Sequence, residues 1–350
     1  MPLIHSFVTA QQLFRRSFRC LVSGIVLCSL AACSLHSSRP HAADPKAMQW
    51  RQQESSTMPA ARHESGFVAV GDRLYLLGGR GERPLDVFDA TKGTWSQGAQ
   101  PPFEVHHMQA LAYDDKLYVL GAMTGGFPEE PPLTHILIYD PATDAWSQGP
   151  EIPEHRRRGG SGVVEHEGLI YLIGGNTRGH MSGFVPWLDV FDPQTGRWQE
   201  LPDAPHARDH FHAAVIDGQI YAAGGRTSSH DTGEVMSLTV APVDVYDIAS
   251  QSWHTLAEPL PTERAGTSTI AFNGLLLVLG GESINQVESH SEVEAYDPAT
   301  QQWHSLDPLP VGRHGTQATL YKGELHIVAG SENRGGGPEL NDHWILSADQ

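Results

Sequence analysis

Residues 169–198 read LIYLIGGNTRGHMSGFVPWLDVFDPQTGRW, and the order of features in this stretch decides the fold. An apolar run ends at Gly174-Gly175, an aromatic-Asp pair follows at Phe191-Asp192, and Trp198 lies six residues after that Asp. The same order returns along the chain with glycine pairs, or degenerate pairs, at Gly78-Gly79, Gly121-Ala122, Gly224-Gly225, Gly280-Gly281 and Ala329-Gly330. A repeat of about 50 residues indicates an array of similar supersecondary units.

Each unit is predicted to contain four short β-strands. Residues 66–70 and 74–77 are apolar runs on either side of the turn signal Gly71-Asp72, which is typical of a tight hairpin. A third run ends at the aromatic-Asp pair and a fourth carries the tryptophan. Because no stretch within the repeats sustains a 3.6-residue apolar period, helix is not indicated. The sequence therefore predicts an all-β propeller with six blades.

The last unit ends too early to contain its own fourth strand. Trp50, however, precedes Arg62 at the same spacing at which Trp146 precedes Arg158. We therefore expect the N-terminal strand, at about residues 48–54, to complete the sixth blade and close the ring.

With these motifs the chain resembles the kelch-repeat proteins, specifically six-bladed kelch β-propellers. The double glycines, the aromatic-Asp pairs and the tryptophans carry the resemblance, and they recur over residues 48–350. The resemblance implies the fold, whereas propellers of this kind support unrelated activities.

The first residues have the pattern of a bacterial lipoprotein signal. Three arginines precede an apolar run at residues 20–30, and no acidic residue occurs before Asp44. The run leads into Leu-Ala-Ala-Cys, which resembles a lipobox and implies lipidation of Cys33. An ordinary signal peptide is the alternative. We expect a lipoprotein signal peptide at 1–33, a tether at 34–47, a propeller at 48–350, and anchoring in the cell envelope, at the outer membrane facing the periplasm or the outside.

Charge and cysteine content exclude several partners and chemistries. The net charge is −18, and removal of residues 1–33, with three arginines and no acid, would lower it to −21. Such a body is not expected to bind nucleic acid, or a membrane other than through its lipid anchor. All three cysteines, Cys20, Cys28 and Cys33, lie in the signal segment. The mature chain therefore lacks the cysteine that copper radical oxidases of this fold require, and we expect a monomer without a cofactor.

A column of arginines precedes the first strand of nearly every unit, at a constant spacing ahead of the glycine pair. We call this set the arginine column, and its members are Arg62, Arg158, Arg208, Arg264 and Arg313, with Val105 in the second unit. A residue present in almost every blade usually serves the repeat, so a structural role is favoured over ligand binding.

Positions that differ between units are better candidates for function. The side chains change from unit to unit at two positions: two residues after the arginine column, and directly after the glycine pair. The kelch resemblance places both positions at one mouth of the central channel. The segment from the glycine pair to the aromatic-Asp pair also varies in length between units, which is typical of a binding face. The predicted ligand-binding residues are Arg80, His107, Asn176, Arg178, Arg226 and Glu282, and the predicted acid-base residues are Glu64 and His210.

Histidine-rich segments raise the question of a metal. His210 and His212 would share one strand face, but the sequence spacing indicates no third ligand, so no metal ligand is assigned. Nucleophile elbows and phosphate-binding loops are also missing from the sequence.

Three functions remain open from the sequence. The leading hypothesis is a cell-envelope module that binds an acidic saccharide or an envelope protein at the channel mouth. The second is an enzyme similar to periplasmic kelch propellers that act as sialic-acid mutarotases or epimerases. The third is a structural scaffold within an envelope complex. Polar residues gathered into a closed mouth would favour a small ligand, whereas exposed apolar loop tips such as Phe184 and Trp187 would favour a protein partner.

Overall fold

The structure, a computed structural model, describes residues 48–348, and it contains six four-stranded antiparallel sheets. The predicted all-β, six-bladed propeller is confirmed. The predicted signal peptide, the tether and Cys33 lie outside the described residues. Within residues 48–348 no helix has both the length and the hydropathy of a membrane span.

Five blades follow the chain, each with its strands in sequential order. The first blade contains β2 (Ser65–Val70), β3 (Arg73–Gly78), β4 (Leu85–Asp89) and β5 (Thr94–Gly98), and the second contains β6 (Leu111–Tyr113), β7 (Lys116–Val119), β8 (His135–Asp140) and β9 (Ala145–Glu151). The third contains β10 (Gly162–His166), β11 (Leu169–Ile173), β14 (Leu188–Asp192) and β15 (Arg197–Leu201), and the fourth contains β16 (Ala213–Ile216), β17 (Gln219–Ala222), β18 (Asp244–Asp247) and β19 (Ser252–Thr255). The fifth contains β20 (Ser268–Phe272), β21 (Leu275–Leu279), β22 (Val293–Asp297) and β23 (Gln302–Ser305). A separate hairpin of β12 (Asn176–Arg178) and β13 (Ser182–Phe184) extends from the third blade.

The sixth blade joins the two ends of the described chain. It contains β24 (Ala318–Tyr321), β25 (Glu324–Val328), β26 (His343–Ala348) and β1 (Met48–Gln52). β1 pairs antiparallel with β26, so that Trp50 lies opposite Leu346. The predicted closure by the N-terminal strand is confirmed, and it gives the sixth blade four strands, as many as each of the others has.

The hairpins between the first two strands of a blade are tight, as the turn signals predict. Glu167 and Gly168 join β10 to β11, and both have positive φ, at 49° and 83°. Two consecutive left-handed residues match the right-handed twist of the flanking strands, as in a type I′ turn.

The arginine column is structural. The Arg264 side chain is fully buried, and it donates hydrogen bonds to the carbonyls of Gly280 and Val278 at 2.6 and 3.0 Å. It also forms an ion pair with Glu294 on the third strand of its blade. The other four arginines are likewise buried and paired with an acid. In three blades the acid is at the corresponding position, with Arg62 paired with Asp86, Arg158 with Asp189 and Arg208 with Asp244, whereas Arg313 pairs with Asp342, just before β26.

The second blade lacks both members of this pair. Val105 replaces the arginine and Leu137 replaces the acid, and both side chains are buried in one apolar cluster. Losing the two charges together avoids an unpaired buried ion, which would be costly.

The glycine pairs allow the backbone of adjacent segments to approach closely. At Gly175, with φ of 97°, a Cβ would lie 2.7 Å from the carbonyl oxygen of Gly159, and at Gly281 it would lie 2.8 Å from that of Ala265. Any larger residue would push these segments apart.

The tryptophans join neighbouring blades. The indole N–H of Trp253, in the fourth blade, donates to the carbonyl of Pro202 in the segment that follows the third blade, at 2.7 Å. Equivalent bonds run from Trp50 to Asp307, Trp146 to Ala99, Trp198 to Glu151 and Trp303 to Glu258. Trp95 is the exception, since its buried indole N–H finds no acceptor in the described part of the chain.

Candidate functional site

Six residues, one from each blade, form a ring of backbone hydrogen bonds around the channel axis. They lie two positions after the arginine column and are Glu64, His107, Gly160, His210, Gly266 and Gly315. The N–H of His107 donates to the carbonyl of Glu64 at 3.1 Å, that of Gly160 donates to His107, and the series continues around the ring. Ser65 closes it by donating to Gly315 at 3.2 Å.

All six ring residues have left-handed backbone conformations. Glycine adopts this conformation readily, and three blades place glycine there, with φ of 64° to 65°. Glu64, His107 and His210 adopt φ of 57°, 51° and 51° despite their side chains. Such strain costs of order 1 kcal/mol or more at each residue and is concentrated at functional sites in proteins. The three non-glycine ring residues are therefore the first candidates for function.

Their side chains belong to a polar group that is buried apart from Arg80, and we call it the mouth cluster. Its members are Glu64, Arg80, His107, Glu130, Asn176, His180, Asp209, His210, Arg226, Glu282 and His314. A cavity of about 20 Å³, lined by residues from all six blades including Glu64, His107 and His210, adjoins the ring. It has room for a water molecule.

The predicted ligand-binding arginines are both engaged with acids. Arg226 is buried, and its Nη1 lies 2.6 Å from Oε1 of Glu282. Arg80 is partly exposed, and its Nη1 lies 2.6 Å from Oε1 of Glu130. The two guanidinium groups therefore neutralise acids of the cluster as well as facing the mouth.

Two histidines are oriented by carboxylates. Nδ1 of His180 is hydrogen-bonded to Glu130, and Nδ1 of His210 lies 3.0 Å from Oδ1 of Asp209. Nε2 of His180 and Nε2 of His210 lie 3.1 Å apart. Asn176 is fully buried and donates to Asp209 at 2.5 Å, so its amide supports the carboxylate.

Electrostatics keep the acids of the cluster ionised. Burial alone would raise the pKa of Glu64, but His314, His63, His210 and Arg80 together lower it. Burial likewise opposes ionisation of Glu130, whose hydrogen bond from His180 lowers its pKa to about 2.

The buried imidazoles show the opposite effect. Burial lowers the pKa of His107 well below its usual value, and the neighbouring His106, His210 and His180 lower it further. Burial also lowers the pKa of His180, although Glu130 opposes the change. His107 and His180 are therefore neutral at pH 7, with a lone pair on one ring nitrogen each.

The structure gathers seven of the eight predicted ligand-binding and acid-base residues into the mouth cluster. Arg178 lies outside it, on β12, with a side chain that is 59% exposed and 3.5 Å from Asp231. His212, considered above as a partner of His210, lines the cavity, but its Nε2 is 3.2 Å from the carbonyl of Met108 and engages the backbone there.

Four members of the cluster were not among the predicted site residues: Glu130, His180, Asp209 and His314. Glu130 and His180 come from the loops between the second and third strands of the second and third blades, where the repeat spacing breaks down. Asp209 lies between a member of the arginine column and His210, and that position was the signal available in the sequence.

The rim of the mouth carries one prominent aromatic side chain. Phe127 is 55% exposed, lies 5.2 Å from the His180 ring between ring centroids, and has the Arg80 guanidinium 6.0 Å from its centroid. Trp187, in contrast, is partly buried under Arg156, whose guanidinium is 4.4 Å from the indole ring. Trp187 is thus part of the blade and not an exposed loop tip.

Comparisons with known protein families agree with this architecture. A family model described as the Attractin/LZTR1 beta-propeller matches residues 38–286, and a Kelch motif model matches residues 263–310. The first match covers well over half of the chain.

Individual relatives share the repeat at moderate sequence identity. Kelch-like protein terF of Aspergillus terreus is 30% identical over 77% of this chain and 61% of its own length, and Kelch-like protein 40 of Mus musculus is 34% identical over 61% of this chain and 33% of its own. The chain thus spans less than two thirds of these curated relatives. The solved structure of YjhT superposes with a TM-score of 0.70 at 16% identity, covering 84% of this chain and 97% of that one, which shows a shared fold.

Proposed function

Because this chain belongs to the kelch-repeat β-propellers, we propose that it is a binding module of the cell envelope that holds a small polar ligand at the channel mouth. Kelch propellers generally act as protein-binding modules, and the fold alone does not select the partner. The choice of a small ligand depends on the mouth itself.

One observation carries this proposal: residues from separate blades gather their polar side chains at a single buried mouth. Glu64, His107 and His210 hold strained backbone conformations that place these side chains beside the cavity. A few convergent polar groups are typical of small-ligand sites. A saccharide would lie outside the water-sized cavity, at the mouth beside Phe127 and Arg80. A flat protein interface does not need such a buried cluster.

An acidic saccharide matches the chemistry of this mouth better than an envelope protein does. Phe127 offers an exposed ring on which a sugar face can stack, and beside it Arg80, paired with Glu130, has a partly exposed guanidinium whose remaining N–H groups can donate to a carboxylate. Of the two loop aromatics that would serve a protein partner if exposed, Trp187 is covered by Arg156, whereas Phe184 is 38% exposed.

The envelope location rests on the sequence. The basic and apolar segment before Cys33 has the pattern of a lipoprotein signal, and a periplasmic or outer-membrane module would meet saccharides there. The propeller would act as a monomer on its lipid anchor. Fractionation of cells that produce the chain, with a Cys33→Ser variant as the control, tests this location: recovery of the wild-type chain in the soluble cytosol would contradict it.

A thermal-shift panel tests the ligand. Sialic acid, uronic acids and neutral sugars would each be titrated into the chain, and we expect a saturable rise in melting temperature with an acidic sugar. Phe127→Ala should abolish that rise with little loss of stability, because the side chain is exposed. Phe103→Ala is the matched control, since Phe103 is 42% exposed and lines a different cleft. No rise with any sugar would contradict the proposal and favour a protein partner.

The position of Glu64 favours a second candidate, an acid-sugar mutarotase or epimerase. Its Oε2 lies 3.5 Å from Nε2 of His107, and its Oε1 lies 3.9 Å from Nε2 of His314. The Glu64 carboxylate, as a base, and two imidazoles therefore face one space, and such an arrangement can pass protons to and from a sugar. NMR exchange of sialic acid anomers tests this: the wild-type chain should accelerate it, and Glu64→Gln should reduce the acceleration about 100-fold. Exchange at the uncatalysed rate with the wild-type chain would exclude it.

A further inference from the structure

We propose that His107, His180 and His210 form a binding site for a divalent transition-metal ion at the channel mouth. One ring nitrogen of each histidine lies within 4.8 Å of the other two, and all three side chains are buried. The sequence assigned no metal, because His180 comes from the β12–β13 hairpin and has no fixed spacing from the ring residues. This site goes beyond the proposed saccharide binding and can be tested without any sugar.

The hydrogen bonds of His180 and His210 expose two lone pairs to each other. Each Nδ1 faces a carboxylate, Glu130 or Asp209, so each Nδ1 carries the proton and each Nε2 is an acceptor. Two acceptors 3.1 Å apart cannot hydrogen-bond to each other. Two imidazole nitrogens on one tetrahedral Zn²⁺ would lie roughly 3.3 Å apart, given Zn–N distances of about 2.0–2.1 Å.

The third lone pair follows from a chain of hydrogen bonds. Nε2 of His106 donates to the carbonyl of Gly125 at 2.9 Å, so Nδ1 of His106 must accept. Nδ1 of His107, 2.5 Å from it, must therefore donate. Nε2 of His107 is left as an acceptor, and it lies 3.5 Å from a Glu64 carboxylate oxygen, which is also an acceptor. A cation would relieve this contact as well.

Carboxylate groups outnumber guanidinium groups around the three histidines. In the mouth cluster, the carboxylates of Glu64, Glu130, Asp209 and Glu282 face only the guanidiniums of Arg80 and Arg226. A cation held by the three histidines would therefore lie among the oxygen atoms of acids. The guanidiniums compete for the lone pairs, since Nη2 of Arg226 is 3.3 Å from Nε2 of His180 and Nη2 of Arg80 is 3.5 Å from Nε2 of His107.

The donor set indicates the class of ion. Neutral imidazoles prefer Zn²⁺, Cu²⁺, Ni²⁺ or Co²⁺ to Mg²⁺ or Ca²⁺. The hydrogen bonds from Nδ1 to Glu130 and Asp209 are the outer interactions that orient metal-binding histidines in proteins. Three histidine ligands leave one coordination position open, where a ligand hydroxyl or carboxylate could bind.

Calorimetry and spectroscopy test the site directly. The full chain would be stripped with EDTA, dialysed, and titrated with Zn²⁺ by isothermal calorimetry, and separately with Co²⁺ while visible absorption is recorded. We expect one ion per chain, and an intense tetrahedral Co²⁺ spectrum. Zn²⁺ added to the cobalt form should remove that spectrum.

The ring offers ligand variants that should fold. Glycine occupies the ring position in three blades, so His107→Gly and His210→Gly remove a ligand where the backbone favours glycine. Each should weaken Zn²⁺ binding at least about 100-fold, whereas Asp209→Asn, which keeps the ligands, should weaken it roughly 10–100-fold. His155→Ala is the control, since that side chain is 70% exposed, and it should leave the affinity unchanged.

Two results would overturn the metal site. One is no stoichiometric Zn²⁺ binding by the wild-type chain. The other is binding that the double variant His107→Gly/His210→Gly retains, which would place the ion elsewhere. The rise in melting temperature on adding a saccharide, measured with and without EDTA, separates the two proposals. A rise without metal binding would leave the proposed function standing, and metal binding without a rise would leave only the metal site.

Discussion

At the scale of single residues, the arginine column and its acids show how this fold holds full charges inside its blades. Arg264 donates to two main-chain carbonyls of its own blade, and Glu294 balances its charge. The second blade does without the pair and instead buries Val105 and Leu137. The chain thus contains its own comparison between a buried ion pair and an apolar replacement.

This comparison predicts the outcome of a double-mutant cycle at Arg264 and Glu294. Arg264→Val alone should lower the free energy of unfolding by about 3–5 kcal/mol, because it leaves the Glu294 carboxylate buried without its partner. Adding Glu294→Leu, to copy the second blade, should recover at least about 1 kcal/mol. Urea unfolding followed by tryptophan fluorescence measures both. Strictly additive losses would show that the ion pair is not coupled.

At the scale of strands and blades, the tryptophans act as connections between neighbouring sheets. Each outer-strand indole bonds to a carbonyl at the end of the preceding blade or just after it, except that of Trp95, whose N–H has no acceptor between residues 48 and 348. Where the first blade meets the sixth, Trp95 instead packs against Phe67, Phe88 and His343.

The value of the indole bond can be measured by removing only its hydrogen. Replacement of Trp253 by 3-benzothienylalanine keeps the ring shape but removes the N–H, and it should cost about 1 kcal/mol of unfolding free energy, since the carbonyl of Pro202 loses its donor. The same replacement at Trp95 should cost nothing, because that N–H is already unpaired in the described chain. Equal losses at the two positions would contradict this role.

At the scale of the whole molecule, the repeat explains what was predictable from the sequence. Fixed spacings placed every blade and the closing strand, and comparing the units at equal positions singled out Glu64, His107 and His210. The same comparison could not find His180 or Glu130, because they lie in loops whose lengths differ from blade to blade. It also could not show that Arg226 is paired with Glu282, because the two residues belong to different blades and lie 56 positions apart in the chain.

The interface between the sixth and first blades, where His343 packs against Phe67, Phe88 and Trp95, should be sensitive to acid. Burial lowers the pKa of His343 to about 3 and that of His326 to about 4. As pH falls below about 6.5, the unfolded chain gains protons at these histidines and the folded chain does not, so the folded state loses stability. His343→Phe should therefore reduce the wild-type loss of unfolding free energy between pH 7 and pH 5 by about 2 kcal/mol.

Urea unfolding at the two pH values measures this difference. His254→Phe is the control, since His254 is exposed, and its loss between pH 7 and pH 5 should equal that of the wild-type chain. An unchanged loss in His343→Phe would show that this histidine does not contribute to acid sensitivity.

The pairing of β1 with β26 has a consequence for biosynthesis. Met48 leaves the ribosome early, yet its partner Ala348 is made only after all the other strands of the propeller. At about 5–20 residues per second, β1 waits roughly 15 to 60 s for its neighbour strand. During that time five blades can assemble in order while the first strand stays available to pair with other chains. Chaperones that cover exposed strands would therefore matter most for this segment, and the ring closes only after β26 has emerged.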